Sequence, residues 1–263
     1  PEGHRAEVSL WGGQVLSWTH ATQGPQLYCS PLRKAGQAIR GGVPVCFPQF
    51  ASWGPLAKHG FARTSMWQQV HRSSEAGGAQ ARLRLLSSEE TRAVWPHGFA
   101  LTLDVTLSPA SLRLTLSVEN TGREPWPFTA ALHTYVQLAD VARASLHGLE
   151  GLTYEDACRG NDVATERHAH LSIDGEVDRV YRDAPARLLL QRPGQPPLEV
   201  LQSGFADTVV WNPGPAKAAA LADLPDTDWQ HMLCIEAAQV AHPVILAPGT
   251  QWLGQQRLAL IEP

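Results

Sequence analysis

Two residues in this chain have the chemistry to pass protons to and from a bound molecule. Glu236 sits in "MLCIEAAQV", preceded by Leu233 and Ile235. On a strand, Cys234 and Ala238 would share its face. A carboxylate in so apolar a strand is costly unless it is paired or hydrogen-bonded. It therefore reads as a general base held out of water or as half of a buried ion pair. His133 sits in "LHTYVQL". On a strand, Leu132, Thr134, Val136 and Leu138 take one face, and His133, Tyr135 and Gln137 the other. The second face carries the hydrogen-bonding groups that a polyhydroxylated ligand needs. A lone histidine is equally a satisfied structural residue.

A second group is basic. "GGVPVCFPQFASWGPLAKHGFARTSMW" runs from Gly41 to Trp67, with Arg40 just ahead of it. It surrounds Lys58, His59 and Arg63 with glycines, prolines and aromatic rings. These could be solvated loop charges, or arginines stacked on rings to hold the fold. The sharper reading is a pocket for an anionic ligand, because the planar arginine fork suits phosphate oxygens. Asp178 in "EVDRVY" and Asp207 in "GFADTVVWNPG" could accept bonds from hydroxyls. Asp207 reads better as a turn aspartate taking backbone N–H groups before a strand. His97 in "WPHGF" reads as a loop histidine.

Metal and nucleotide chemistry find little support. His168 and His170 in "ERHAHLSIDGE" have strand spacing and could share a metal. No Cys/His set has zinc spacing, so surface histidines are the preferred reading and no metal or cofactor is expected. There is no G-x-S-x-G elbow.

The elements that must position these residues show period two. In "FALTLDVTLS", Phe99, Leu101, Leu103, Val105 and Leu107 share a face. Leu112, Leu114, Leu116 and Val118 repeat the pattern after a short "SPAS" turn. "AALHTYVQL", "ARLLLQ", "PLEVLQS", "DTVVWN", "MLCIEAA" and "PVILAP" follow as strand-like runs between Gly, Pro, Asn and Asp clusters. "LADLPDTDWQHM" could hold one helical turn. The pattern predicts an all-β fold, a large antiparallel β-sandwich with few short helical turns, as a single domain over 1–263.

Bulk properties narrow the partners. The 263 residues carry a formal charge of −4, so no basic field exists for nucleic acid. The four cysteines, Cys29, Cys46, Cys158 and Cys234, form no C-x-x-C pair and read as buried free thiols. No apolar run is long enough to span a bilayer, and the first residues lack a leader pattern. The expectation is a cytoplasmic monomer with a small-molecule ligand, no nucleic acid and no membrane partner.

Eight segments occur in the order found in one family. "RGGVPVCFPQF", "KHGFAR", "WPHGF", "LHTYV", "VDRVY", "DTVVWNPG", "CIEAA" and "LAPGTQW" together resemble the hexose-6-phosphate mutarotases. These are the glucose-6-phosphate 1-epimerase branch of the aldose-1-epimerase superfamily. The resemblance implies a galactose-mutarotase-like sandwich that interconverts the α and β anomers of an aldohexose 6-phosphate without a cofactor. It implies that His133 is the general acid and Glu236 the general base. It places Asp178 in the sugar site, Arg40 and Arg63 on the phosphate, and His59 against the sugar. Two positions depart from the common pattern: Lys58, where Gln is frequent, and Val136, where an aromatic is frequent. Both are expected near the pocket. The rival reading is a noncatalytic sugar-phosphate sensor on the same fold, which would not need both Glu236 and His133. A glycosidase would need a second carboxylate where the resemblance supplies a histidine.

Overall fold

In the computed structural model, which describes residues 3–75 and 77–261, the two alternating runs become neighbouring strands, Phe99–Ser108 and Ser111–Asn120. Their register opposes Leu107 to Leu112, Val105 to Leu114, Leu103 to Leu116 and Leu101 to Val118. All eight side chains are buried. These strands lie within a nine-stranded antiparallel sheet, ordered 170–171, 145–147, 187–191, 198–203, 251–260, 111–120, 99–108, 78–86 and 68–75.

The opposing sheet has eight strands. Seven run in the order 162–165, 153–156, 177–181, 207–212, 232–246, 126–132 and 45–46, and the eighth, Tyr135–Gln137, pairs with the start of the 232–246 strand. Its central strands do not alternate. Every residue of Asp207–Asn212 and of Met232–Ala238 is buried. The reason is that this sheet is covered on both faces. Leu233, Ile235 and Ala237 join the core between the sheets. Met232, Cys234 and Ala238 point outward and are covered in turn. The covers are the Gly41–Trp67 segment and the stretch that holds the short helix Gly214–Ala220. A small third sheet, 5–9, 14–20 and 24–25, lies to the side. Among the described residues, the other α-helix is the single turn-and-a-half Glu89–Val94, capped by Ser88. "LADLPDTDWQHM" does contain one 3₁₀ turn, Asp228–His231.

Two sequence expectations need correction. "MLCIEAA" and "PVILAP" are one strand, Met232–Leu246, with a pairing irregularity between Gln239 and Val244. Asp207 sits at that irregularity. Its Oδ2 accepts the N–H groups of Val240 (2.9 Å) and Ala241 (2.8 Å), which an unbroken ladder would have paired. "AALHTYVQL" is interrupted at His133–Thr134, where the His133 N–H is diverted to the Pro44 carbonyl. The register survives the interruption. Leu132 opposes Ala237 and Tyr135 opposes Cys234, so His133 falls opposite Glu236. Gln137 keeps the face of Tyr135, opposite Met232, and donates to the Leu138 and His231 carbonyls.

The two-faced burial is testable by substitution. Leu103→Ala should cost about 2–5 kcal/mol, the range for a buried leucine. Thr102→Ala, on the half-open face of the same strand, should stay within about 0.5 kcal/mol. Equal losses in a denaturant melt would contradict the one-sided packing of that strand.

Candidate active site

Cross-strand register builds the floor of a pocket on the outer face of the eight-stranded sheet. One rung runs Asp178–Trp211–Cys234–Tyr135. The next runs Val180–Val209–Glu236, with His133 opposite Glu236. Four separate strands thus present their side chains to one spot. The cavity above them holds about 130 Å³. Glu236, His133, Asp178, Arg40, Arg63 and His59 all line it, with Lys58, Tyr135, Trp211 and Phe50.

His133 Nδ1 and Glu236 Oε1 are 3.1 Å apart, with the carboxylate side chain 1% exposed. The contact lacks hydrogen-bond alignment: His133 Nδ1 and Glu236 Oε2 are buried without a partner. Two orphaned polar atoms at the bottom of a pocket are expensive unless a ligand satisfies them. The imidazole stacks on Tyr135, centroids 4.9 Å apart and planes 8° apart, which sets its orientation.

The Gly41–Trp67 segment supplies the cationic wall. Gly42 has φ 60°, and a Cβ there would land on the Val15 carbonyl, so only glycine lets the chain pass this close behind Arg40. Gly60 has φ 68°, and its Cβ would strike the Phe47 carbonyl. His59 between them takes a left-handed φ of 67°, held by its N–H on the Ala51 carbonyl at 2.9 Å. His59 Nδ1 accepts the Ala51 N–H at 3.2 Å, so its own proton sits on Nε2. Arg40 donates from Nε to Asp223 Oδ1 at 2.9 Å and lies 5.6 Å from the Trp211 ring centroid. Arg63 donates from Nη2 to the Lys58 carbonyl at 2.9 Å, and its Nε is buried without a partner.

The comparisons with known proteins agree with one another. The family model described as aldose 1-epimerase matches residues 1–259. The chain belongs to the aldose 1-epimerase family. A Cenchrus ciliaris protein, provisionally named a glucose-6-phosphate 1-epimerase, is 36% identical over 97% of this chain and 81% of its own length. An Escherichia coli K12 protein with the same provisional name is 32% identical over 89% of this chain and 79% of its own. The crystal structure of YeaD from Salmonella typhimurium, provisionally described as a mutarotase, superposes with TM-score 0.92 at 26% identity, covering 100% of this chain and 88% of that one. A galactose mutarotase related enzyme from Lactobacillus acidophilus shares the fold, with TM-score 0.79 at 16% identity over 100% of this chain and 96% of that one. The protein is therefore an isomerase of the aldose epimerase type, on a galactose-mutarotase-like sandwich.

In this aldose epimerase the pocket perturbs its own acids and bases. Burial pushes the Glu236 carboxyl well above its ordinary value, and the Asp178 charge adds to this. Burial pushes the His133 imidazole well below its ordinary value, helped by the charges of Arg63 and Arg40. His59 is driven down to about 2 by burial and by Arg63, Lys58 and Arg40. It is a neutral donor from Nε2. Burial also raises Asp178.

The structure separates the remaining candidates. Asp207 and His97 lie outside the pocket: Asp207 binds backbone, and His97 packs on Trp95 at 4.6 Å between centroids. His168 is an exposed partner of Glu166, and His170 sits beside His147, so the two do not share a strand face. Among the described residues, His133, Cys234 and Glu236 are the ligand-type group that is close enough for a metal, within 4.8 Å. The set fits a cation poorly. Burial holds the Cys234 thiol protonated, and Arg40, Arg63 and Lys58 surround the same space. Cys46 and Cys234 are buried as expected, but Cys158 is exposed and Cys29 half-buried. Val136 points into the core between the sheets, not to the pocket, so of the two unusual positions only Lys58 lines the site. Most rings of the Gly41–Trp67 segment pack rather than bind. Phe47 is ringed by Phe61, Trp95, Phe99, Trp126 and Phe128, and only Phe50 reaches the cavity. Among the described residues, no helix is long and apolar enough to cross a membrane.

The buried carboxyl has a measurable stability cost. Its folded pKa lies above the unfolded one, so its stabilising contribution is complete below about pH 4.5 and is lost as pH rises through the folded value. Glu236→Gln removes that dependence. The variant should melt higher than the parent near pH 8, by about 2–4 °C for each kcal/mol recovered. The gap should close toward about pH 4.5. A gap that is constant or reversed over this range would contradict the raised pKa.

Proposed function

We propose that this aldose epimerase interconverts the α and β anomers of an aldohexose 6-phosphate, glucose 6-phosphate first among them. The observation that carries the reading is the Glu236–His133 pair, 3.1 Å apart with an unpartnered polar atom on each residue, under a rim of three cations. The provisional names of the Cenchrus ciliaris and Escherichia coli relatives point to the same substrate.

In the proposed cycle, ionised Glu236 takes the proton of the C1 hydroxyl. The freed oxygen pair forms the C1 carbonyl, the C1–O5 bond breaks, and O5 takes the proton of His133. Rotation about C1–C2 presents the other carbonyl face. Reclosure returns the O5 proton to His133 and the Glu236 proton to O1. The pKa directions suit these roles. A raised carboxyl is a stronger base and a lowered imidazole a stronger acid, so burial favours both transfers in the ring-opening direction. The cost is that burial opposes the ionised pair before reaction. A bound phosphate dianion offsets part of it by pairing the Arg40 and Arg63 charges that hold His133 down. His59 donates its Nε2–H to the sugar, and Asp178 accepts from a hydroxyl.

Exchange NMR tests the reading directly. The enzyme should accelerate α/β exchange of glucose 6-phosphate over matched buffer. Unchanged exchange with binding retained in calorimetry would favour the sugar-phosphate sensor. Glu236→Gln and His133→Asn should each lower kcat by roughly 10²-fold or more. The double variant should lose less than the product of the two. The pH profile of kcat/KM should be a bell whose limbs belong to the pair. Its alkaline limb marks loss of the one shared proton, and its acid limb marks the gain of a second. With the carboxyl raised and the imidazole lowered, both limbs should shift or vanish when either residue is replaced. An unchanged bell in the residual activity of Glu236→Gln and His133→Asn would place acid–base catalysis on other groups.

Phosphate recognition has its own check. Arg40→Ala and Arg63→Ala should each lower kcat/KM for glucose 6-phosphate tenfold to a hundredfold, as expected for charged hydrogen bonds of roughly 1.5–3 kcal/mol. Arg→Lys should restore only part of it. Equal losses on free glucose would assign both arginines to the fold instead.

A further inference from the structure

Arg40 and Arg63 face the same cavity but are held very differently. Arg63 contacts one backbone carbonyl, that of Lys58. Arg40 is enclosed. Its Nε donates to Asp223 Oδ1 at 2.9 Å, its Nη1 lies 3.4 Å from the Tyr135 hydroxyl, and its guanidinium lies over Trp211. The backbone closes the frame. The Arg40 carbonyl accepts the Ser30 N–H at 3.0 Å, and the Ser30 hydroxyl donates to the Asp223 carbonyl at 2.7 Å. Main chain, serine, main chain and carboxylate form one hydrogen-bonded ring through Arg40, Ser30 and Asp223. Tyr28 anchors the same loop further on, donating to Asp228 at 2.7 Å.

We propose that Asp223 is a positioning residue for phosphate specificity: it fixes the guanidinium of Arg40 so that its remaining N–H groups meet the substrate phosphate. The inference rests on the proposed reading of Arg40 as a phosphate ligand. Asp223 does not line the cavity itself. It acts through Arg40.

Two effects compete. The Asp223 carboxylate repels a phosphate dianion, which would weaken binding. It also removes the cost of ordering a long, rotamer-rich side chain when the phosphate arrives, which strengthens binding. Geometry favours the second. The guanidinium stands between carboxylate and cavity, and the Asp223 side chain is 34% exposed, so solvent screens its charge. Orientation is not screened. Recovering the order of one arginine corresponds to roughly a two- to tenfold change in affinity.

The test compares Asp223→Ala, Asp223→Glu and Arg40→Ala on glucose 6-phosphate and free glucose, with inorganic phosphate binding followed by calorimetry. Asp223→Ala should raise KM for glucose 6-phosphate roughly two- to tenfold with kcat little changed. It should lower the kcat/KM ratio of phosphorylated to free sugar and weaken phosphate binding by a similar factor. Asp223→Glu should recover part of the loss. In an Arg40→Ala background, Asp223→Ala should add almost nothing, because the two act as a unit. Tighter phosphate binding in Asp223→Ala would overturn the proposal by showing that repulsion dominates. Equal losses on both sugars would overturn it in favour of a structural role. If Arg40→Ala itself fails to discriminate between the sugars, the phosphate reading falls, and that result is distinct from Asp223→Ala alone being silent.

Discussion

One constraint organises this protein: a carboxyl and an imidazole must share a dry sheet face without neutralising each other by a good hydrogen bond. Glu236 and His133 sit 3.1 Å apart, yet each keeps a buried, unpartnered polar atom. A fold that maximised its own stability would close that contact or replace it with apolar packing. The surrounding architecture exists to hold it open. His133 is pinned by its N–H on Pro44, by stacking on Tyr135 and by its register opposite Glu236. Buried polar atoms left unpartnered in this way break a general rule of folding, and such breaks are expected at functional sites.

The two-layer sandwich serves this purpose in an unusual way. An antiparallel sheet commonly leaves one face to water. Here the eight-stranded sheet is roofed on its outer face by the Gly41–Trp67 segment and by the Gly214–His231 stretch. The roof is incomplete, and the gap is the cavity. Small apolar residues beside the pair, Cys46, Ala131, Val209 and Ala238, keep water from the floor. Low local polarity raises the carboxyl and lowers the imidazole, the directions that the proposed base and acid roles call for.

Charge is arranged against the overall balance of the chain. The protein carries −4, yet Arg40, Arg63 and Lys58 converge on the rim. Their backbones can approach so closely only because glycines stand where a Cβ would meet a carbonyl, at Gly42 and Gly60. Asp223 pairs with Arg40, while Arg63 bonds the Lys58 carbonyl.

Much of this was readable in the sequence, because local chemistry is written there directly. Period-two alternation from Phe99 to Val118 specified the strands and their buried face. The isolated Glu236 in an apolar run marked a group whose burial needed a reason, and the arginines among glycines and aromatics marked a basic segment whose Arg40, Lys58 and Arg63 do line the cavity. Other features had no local signal. Asp223 and Arg40 lie 183 residues apart, and nothing around "LADLP" distinguishes a carboxylate that orients an arginine from a loop charge. Trp211 read as a strand residue, and Val136 was expected near the pocket although its side chain faces the core. The joining of "MLCIEAA" to "PVILAP" depended on Asp207 satisfying two N–H groups across an irregular ladder. Residue type and periodicity determine which groups are present and which way a strand faces. Only the tertiary structure decides which rungs of four strands align, and therefore which distant groups come within hydrogen-bonding reach.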